Sequence, residues 1–380
     1  MSTGISPTSD TAGRSRVGLR EQVLGLLQER RELTKPEISA ALGKSIPAVT
    51  AHLRALVHEG YVEESGSAGS TGGRRPVILR FRPRARYLLA ADVRPGQLRT
   101  VLTDLDTRVL REEAVRLGGK SSAQQMIVRL VEAFRAVMPT GADRERVVGA
   151  GLSLPGTVHP EQLLMEFAPN LRLRNLNFGA LEVELGIPIR LENEANAAAL
   201  AEFYLGRYRG VRHLIYVSVI QGIGVGIILN GSLYRGAHGN AGEFGHMTYV
   251  PGGRRCSCGR RGCWERYASE RALPDEYRES GGTGTVHSFV DLKRRIDRGD
   301  RAAVSALQTI IGNLATGVGS LAAGFDPDLL LVGGGIVGLN DMVISGIRER
   351  LPGCPVELAS LGENAALKGA ALLPRSAVGI

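Results

Sequence analysis

A chain of 380 residues is too long for one small core, and its length predicts two or three domains. Hydrophobic residues make up 43% and no apolar run is expected to reach membrane length, which excludes a spanning protein. Four cysteines, three of them clustered, exclude a disulfide framework and fit a reducing cytoplasm. The net charge is +9, and residues 1–86 carry fourteen Lys/Arg against eight Asp/Glu, so most of the excess lies in under a quarter of the chain. That asymmetry points to an N-terminal module that binds a polyanion.

Residues 1–15 have no apolar core, so they read as a disordered arm and not as a secretory signal. Leu19, Val23, Leu26 and Leu27 recur at helical spacing. Thr34-Lys-Pro-Glu37 is a helix start, with Thr34 as N-cap, Pro36 in the first turn and Glu37 at the capping-box position. Ile38 and Leu42 face inward, and Gly43 stops the helix. A second start follows at Ser45, with Ile46, Val49, Leu53 and Leu56 as its apolar stripe. Two short helices joined by a Gly turn make a helix-turn-helix. Opposite the stripe lie Lys44, Ala48, Ala51 and Ala55, flanked by His52 and Arg54. Small residues let the helix approach a groove, while Lys44, Ser45, His52 and Arg54 reach phosphates or base edges. Two strands, about Gly60–Glu64 and Val77–Phe81, then form a hairpin whose tip carries Arg74 and Arg75. Guanidiniums on a narrow extended backbone suit a minor groove. Residues 16–82 therefore read as a winged-helix DNA-binding domain, and 83–86 as a basic linker.

The texture changes at Tyr87. Strand runs at 87–93, 98–104, 108–114, 147–154 and 189–192 alternate with helices at 121–138 and 194–205. A second set follows: strands at 213–219 and 227–230, helical segments over 266–325, a strand at 328–332 and a final helix from about Asn364. Such alternation is an α/β fold, here in two lobes: about 87–200 plus the C-terminal helix, and about 210–360. Within the second lobe, His246, Cys256, Cys258 and Cys263 form a metal-ligand pattern, one imidazole and three thiolates closing a tetrahedral zinc site. Glu243 and Glu265 lie just outside that set.

Ser153-Leu-Pro-Gly156, Ala168-Pro-Asn-Leu171, Glu192-Asn-Glu-Ala-Asn196, Gly222-Ile-Gly-Val-Gly226, Glu243-Phe-Gly-His246, the Cys256–Glu265 motif and Gly333-Gly-Gly335 occur in an order that resembles the ROK family (repressor, open reading frame, kinase) over residues 87–380. The winged helix is similar to that of the family's transcriptional regulators. The resemblance implies an actin-like, sugar-kinase-like fold and one structural zinc. It places Asn193, Glu243, His246 and Glu265 on sugar hydroxyls, with Gly156, Asn170 and Glu194 in the same pocket. Glu243 and Glu265 have an alternative role in orienting the zinc ligands.

Two functions follow: a sugar-responsive DNA-binding repressor, or an ATP-dependent sugar kinase with an appended DNA-binding domain. The family's kinases have an Asp-x-Gly-Gly-Thr turn where this chain reads Asp92-Val-Arg-Pro-Gly96, and Asn-Asp where it reads Asn193-Glu194. A bulky Arg and a Pro replace the close-approach glycines, and Glu194 is a vestigial base lengthened by one methylene. The second phosphate turn is read at Gly222–Gly226. The expectation is therefore a cytoplasmic repressor with no catalytic residues and no bound ATP. It would act as a homodimer or tetramer on an inverted-repeat operator, away from any membrane, and be released by a sugar or sugar phosphate.

Overall fold

The computed structural model describes residues 18–67, 76–118, 122–208 and 210–378. The chain forms two compact units, Met1–Arg86 with Asp104–Asp106 and Ser376–Ile380, and Tyr87–Thr103 with Thr107–Arg375. In the first, the elements run α1 (Leu19–Arg30), β1 (Glu32–Thr34), α2 (Lys35–Leu42), α3 (Ile46–His58), β2 (Val62–Ser67) and β3 (Val77–Phe81). The strands form an antiparallel sheet in the order β1-β3-β2. The capping box forms, with Thr34 N–H donating to Glu37 Oε2 at 2.7 Å, and Gly43 ends α2 at φ +61°. Val23, Leu24, Leu27, Ile38, Val49, Leu53 and Leu56 fill the core. Two expectations fail. Leu24 takes the buried place given to Leu26, and Ile46 is 48% exposed. Ile46 opens its helix, where a side chain points back past the first turn and away from the core. The expected N-terminal arm and the wing tip with Arg74 and Arg75 lie outside the described residues.

The second unit begins with β4 (Tyr87–Arg94), β5 (Gln97–Asp104), β6 (Val109–Arg116), α4 (Ala123–Val137) and β7 (Val147–Leu154). Three short strands follow, β8 (Thr157–His159), β9 (Leu164–Ala168) and β10 (Leu173–Asn177), then α5 (Gly179–Leu185), β11 (Ile189–Asn193) and α6 (Glu194–Leu205). The first lobe is a five-stranded sheet in the order β11-β7-β4-β5-β6. The sheet β10-β9-β8, which the sequence reading did not anticipate, lies beside it. The second lobe holds β12 (Leu214–Val219), β13 (Ile223–Leu229), β14 (Ser232–Leu233), α7 (Glu265–Ala268), α8 (Leu273–Glu279), α9 (Phe289–Asp297), α10 (Arg301–Phe325), β15 (Leu329–Gly333), α11 (Asn340–Arg350) and β16 (Val356–Leu358). Its sheet runs β14-β13-β12-β15-β16. The last helix, α12 (Ala365–Leu372), returns to the first lobe, packing Leu367, Ala370 and Ala371 against Ala90 and Val101.

Parallel register aligns the functional ends of the first sheet. Asp92 of β4 and Glu192 of β11 both pair with Ser153 of β7, and Asn193 pairs with Leu154. In open α/β sheets, ligands bind beyond such carboxyl ends. Helix α10 meets the length and composition of a membrane span, which the sequence reading did not foresee. Half of that apolar window is buried, and Ile310, Leu314, Val318 and Leu321 share a core with Trp264 and Leu330. Burial of this kind makes it the core helix of the lobe.

The turn read at Gly222–Gly226 is shorter than expected: of these five residues only Gly222 stays in the turn, and Ile223–Leu229 is strand β13. Its glycines serve packing. A Cβ on Gly224 would meet Ala195 Cβ at 2.9 Å, and one on Gly226 would meet Ala195 O at 2.5 Å. Helix α6 thus lies close on β13 because both surfaces lack bulk. The opposite face of α6 does the same with α12, where a Cβ on Gly369 would meet Ala197 O at 1.8 Å. Replacing Gly369 by Ala must push these backbones apart, and is expected to cost about 1–3 kcal/mol or more. A fall in the urea midpoint at unchanged m-value measures it.

Candidate functional site

The turn Glu243–His246 is a short 3-10 helix laid on β13. Its glycines allow this: a Cβ on Gly242 would meet Val225 O at 1.9 Å, and one on Gly245 would meet Ile223 O at 2.1 Å. The cysteine loop closes on itself, with Cys256 N–H donating to Arg260 O at 2.9 Å and single bridges pairing Thr248 with Cys263 and Arg255 with Arg261. Trp264 anchors it, fully buried, with Nε1–H donating to Asn313 O of α10 at 2.8 Å.

This folding gathers His246, Cys256, Cys258 and Cys263, with their ligand atoms all within 4.8 Å of one another. Cys258 and Cys263 sulfurs lie 3.7 Å apart, and Cys256 Sγ lies 3.5 Å from His246 Nδ1. A tetrahedron with metal–sulfur bonds of about 2.3 Å has edges of roughly 3.7 Å, so the donor set fits a thiolate-loving metal ion. With Nδ1 turned to the sulfurs, Nε2 points the other way, 3.9 Å from Glu243 Oε2.

That free edge borders a cavity of about 90 Å³ between the lobes. Gly156, Asn170, Asn193, Glu194, Glu243, His246 and Glu265 all line it. Gly156 has φ +84°, and a Cβ there would meet Phe167 O at 2.1 Å. Asn193 caps α6, its Oδ1 accepting from Ala195 N–H at 2.8 Å, and its Nδ2 donates to Gly156 O at 2.9 Å. Beneath it Glu192 is buried, accepting from Asn193 N–H and Asn196 Nδ2 at 3.0 Å each. Its other oxygen meets Arg235 of the second lobe, at 2.9 Å from Nε and 2.7 Å from Nη2. A second, wider cavity of about 520 Å³ shares Glu243 and His246 and is walled by Tyr234, Phe244 and Phe325.

Glu194 also borders a third cavity, with Arg94, Tyr216, Ser218, Gly334 and Gly335. Arg94 reaches across it: Nε lies 2.6 Å from Asp92 Oδ2, and Nη2 donates to Glu363 O at 2.7 Å. Asp92 is buried and takes a bond from Ser153 Oγ at 2.9 Å. Burial first, then the Asp92 charge, pushes the Glu194 carboxyl up to about 7, with Arg94 opposing.

Sequence reasoning missed Arg235 and Arg271, which also lines the small cavity. Arg271 Nη1 lies 2.7 Å from both Glu265 Oε1 and Ser257 Oγ, and its Nη2 donates to Asn170 Oδ1. Neither arginine sits at a spacing that links it to its partner; only the fold brings them together. On the DNA-binding unit, Lys44, Ser45, Ala51 and Arg54 are exposed on one side of α3, and Ala48 and His52 are half-buried.

The ROK family profile matches residues 90–377, and a winged helix-turn-helix DNA-binding profile matches 18–63. The chain belongs to the ROK family. It is 32% identical over 349 residues to a xylose repressor of Bacillus spizizenii, covering 89% of each chain. Among solved structures, a ROK family transcriptional regulator, a homologue of the E. coli MLC protein, superposes with TM-score 0.80 at 25% identity, over 95% of this chain and 96% of that one. A ROK family glucokinase from Streptomyces griseus in complex with glucose and AMPPNP superposes with TM-score 0.68 at 29% identity, over 76% and 99%. The regulator thus spans both units, and the kinase spans a share equal to the second alone.

Two outcomes test the site. Glu194 has its folded pKa raised above its unfolded value, so its contribution is present below about pH 4.5 and is lost as pH rises through about 7. Because its carboxyl borders two cavities, the effect is on the order of 1–3 kcal/mol. In denaturant titrations across that window, Glu194→Gln should lose less stability than the wild type. Bound transition metal, measured by atomic emission, should fall severalfold in Cys258→Ser.

Proposed function

We propose that this protein is a sugar-responsive DNA-binding repressor of carbohydrate genes. The observation that carries the reading is Arg94. A winged helix-turn-helix and a polar inter-lobe cavity occur on one chain, and in the adjoining cavity a guanidinium held by Asp92 and Glu363 occupies space beside Glu194. A nucleotide phosphate would have to displace it and leave Asp92 buried and unpaired. Breaking such a pair is costly, which argues against phosphoryl transfer and for a sensor.

His246, Cys256, Cys258 and Cys263 hold one zinc in this reading. The ion supplies cross-linking of the loop and a fixed His246 tautomer, so that Nε2–H faces the cavity. Glu243, Glu265, Asn193 and Asn170 then meet hydroxyls, the carboxylates as acceptors and the amides as donors or acceptors. Three carboxylates face the cavity, Glu194 among them, while the Arg271 guanidinium is engaged by Glu265. That balance disfavours a phosphorylated ligand and favours a neutral monosaccharide. The resemblance to xylose repressors makes xylose the first to test.

The repressor acts in the cytoplasm as a homodimer on an inverted-repeat operator, with α3 in the major groove and Arg74 and Arg75 in the minor groove. Sugar that binds two arrangements of the protein differently by about 1–3 kcal/mol changes operator affinity five- to hundredfold. Fluorescence anisotropy with an operator selected from random DNA measures this. Wild type should bind, release on adding D-xylose, and show a log–log salt slope that falls by about one in Arg54→Ala or Arg75→Ala. Unchanged affinity with every sugar, or ATP consumption at ordinary enzyme rates, would sink the reading.

A further inference from the structure

Among the described residues that line the small cavity, Arg271 is the one whose side chain joins its two walls. Ser257 and Glu265 belong to the second lobe, and Asn170 lies between β9 and β10 of the first. The arginine is fixed at both ends. At its base, fully buried Ser269 accepts from Arg271 N–H at 3.2 Å, and Ser269 Oγ donates to Glu265 O at 2.6 Å. At its tip, one nitrogen serves Glu265 and Ser257 and the other serves Asn170. A planar guanidinium held this way is a rigid wall, since its fork is pre-organised for a carboxylate.

The wall is costly to move. Glu265 is 4% exposed, so a ligand that displaced Arg271 would strand a buried carboxylate. The space it leaves is about 90 Å³, and the wider cavity of about 520 Å³ begins at Glu243 and His246, so Arg271 bounds a ligand on the side away from them. We propose that Arg271 limits ligand size on its side of this cleft, its bridge from Glu265 to Asn170 opposing sugars whose hydroxymethyl or N-acetyl branch points at it. The inference rests on the sugar-responsive reading and names a specificity-determining residue for it. Contact alone discriminates poorly between ligands differing by one carbon, about 10–200-fold at most, so a strong preference needs a wall that cannot yield.

Titration calorimetry on the full chain tests it, with D-xylose, D-glucose and N-acetyl-D-glucosamine. Wild type should prefer xylose to glucose by more than about 200-fold, beyond what contact alone supplies. Arg271→Thr should erase that preference, chiefly by gaining affinity for glucose. Two gentler variants guard against misfolding. Arg271→Lys keeps a cation beside Glu265, and Asn170→Ala removes the far end of the bridge without unpairing it. Both should shift the xylose-to-glucose ratio the same way, by severalfold. A wild-type ratio in all three variants overturns the inference and leaves the repressor intact. A wild type that binds its operator but none of the three sugars takes down the sugar-responsive reading, and this inference with it.

Discussion

The cleft depends on one buried carboxylate, Glu192. It is 2% exposed, and each oxygen is spoken for. One oxygen receives Asn193 N–H and Asn196 Nδ2, fixing the corner where β11 becomes α6. The other receives two nitrogens of Arg235 from the second lobe. A carboxylate can be buried here because several donors satisfy it; unpaired, its desolvation would not be repaid. The same group therefore sets the direction of α6, the place of Asn193 and the approach of the lobes. Asn193 uses both ends of its amide in the scaffold, so a ligand meets a side chain already immobilised.

Around that corner, charge is distributed unevenly. Burial raises the cost of ionising Asp92, burial and then the Asp92 charge raise that of Glu194, and Arg94 relieves part of both. Arg94 itself spans the cavity beside Glu194, from Asp92 to Glu363. The small cavity has a polar lining, and the metal-type cluster behind His246 is complete. Glu194 borders both cavities, so the two meet at one carboxyl.

Features encoded by neighbouring residues were legible in the sequence. The capping box at Thr34 and Glu37 is a local exchange of hydrogen bonds, and α6 spans Glu194–Leu205 as its Asn cap and alanine run require. The four metal-type donors were legible because their spacing is itself the signal. What was missed depends on tertiary neighbours. Gly224 and Gly226 look like a phosphate turn until Ala195 is seen above them. The strands β8, β9 and β10 are three to five residues long, too short to show a period. Arg271 meets Asn170 from 101 positions away and Arg235 meets Glu192 from 43. No pattern in the chain announces either pair.

Those two arginines also explain how the cleft can respond to a small ligand. Arg235 is 43% exposed at its side chain, so its pairing with Glu192 is partly screened and worth less than a fully dry pair. Helix α6 meets the second lobe through the Gly/Ala seam with β13 and through a buried cluster in which Ala198 and Ala199 pack with Leu214, Tyr216, Ile228 and Leu331. A ligand that adds several hydrogen bonds to one arrangement of a cleft can move a balance of a few kcal/mol between arrangements. Had the same seam been filled with leucine, closure would have been fixed by packing and the ligand would have had nothing left to decide.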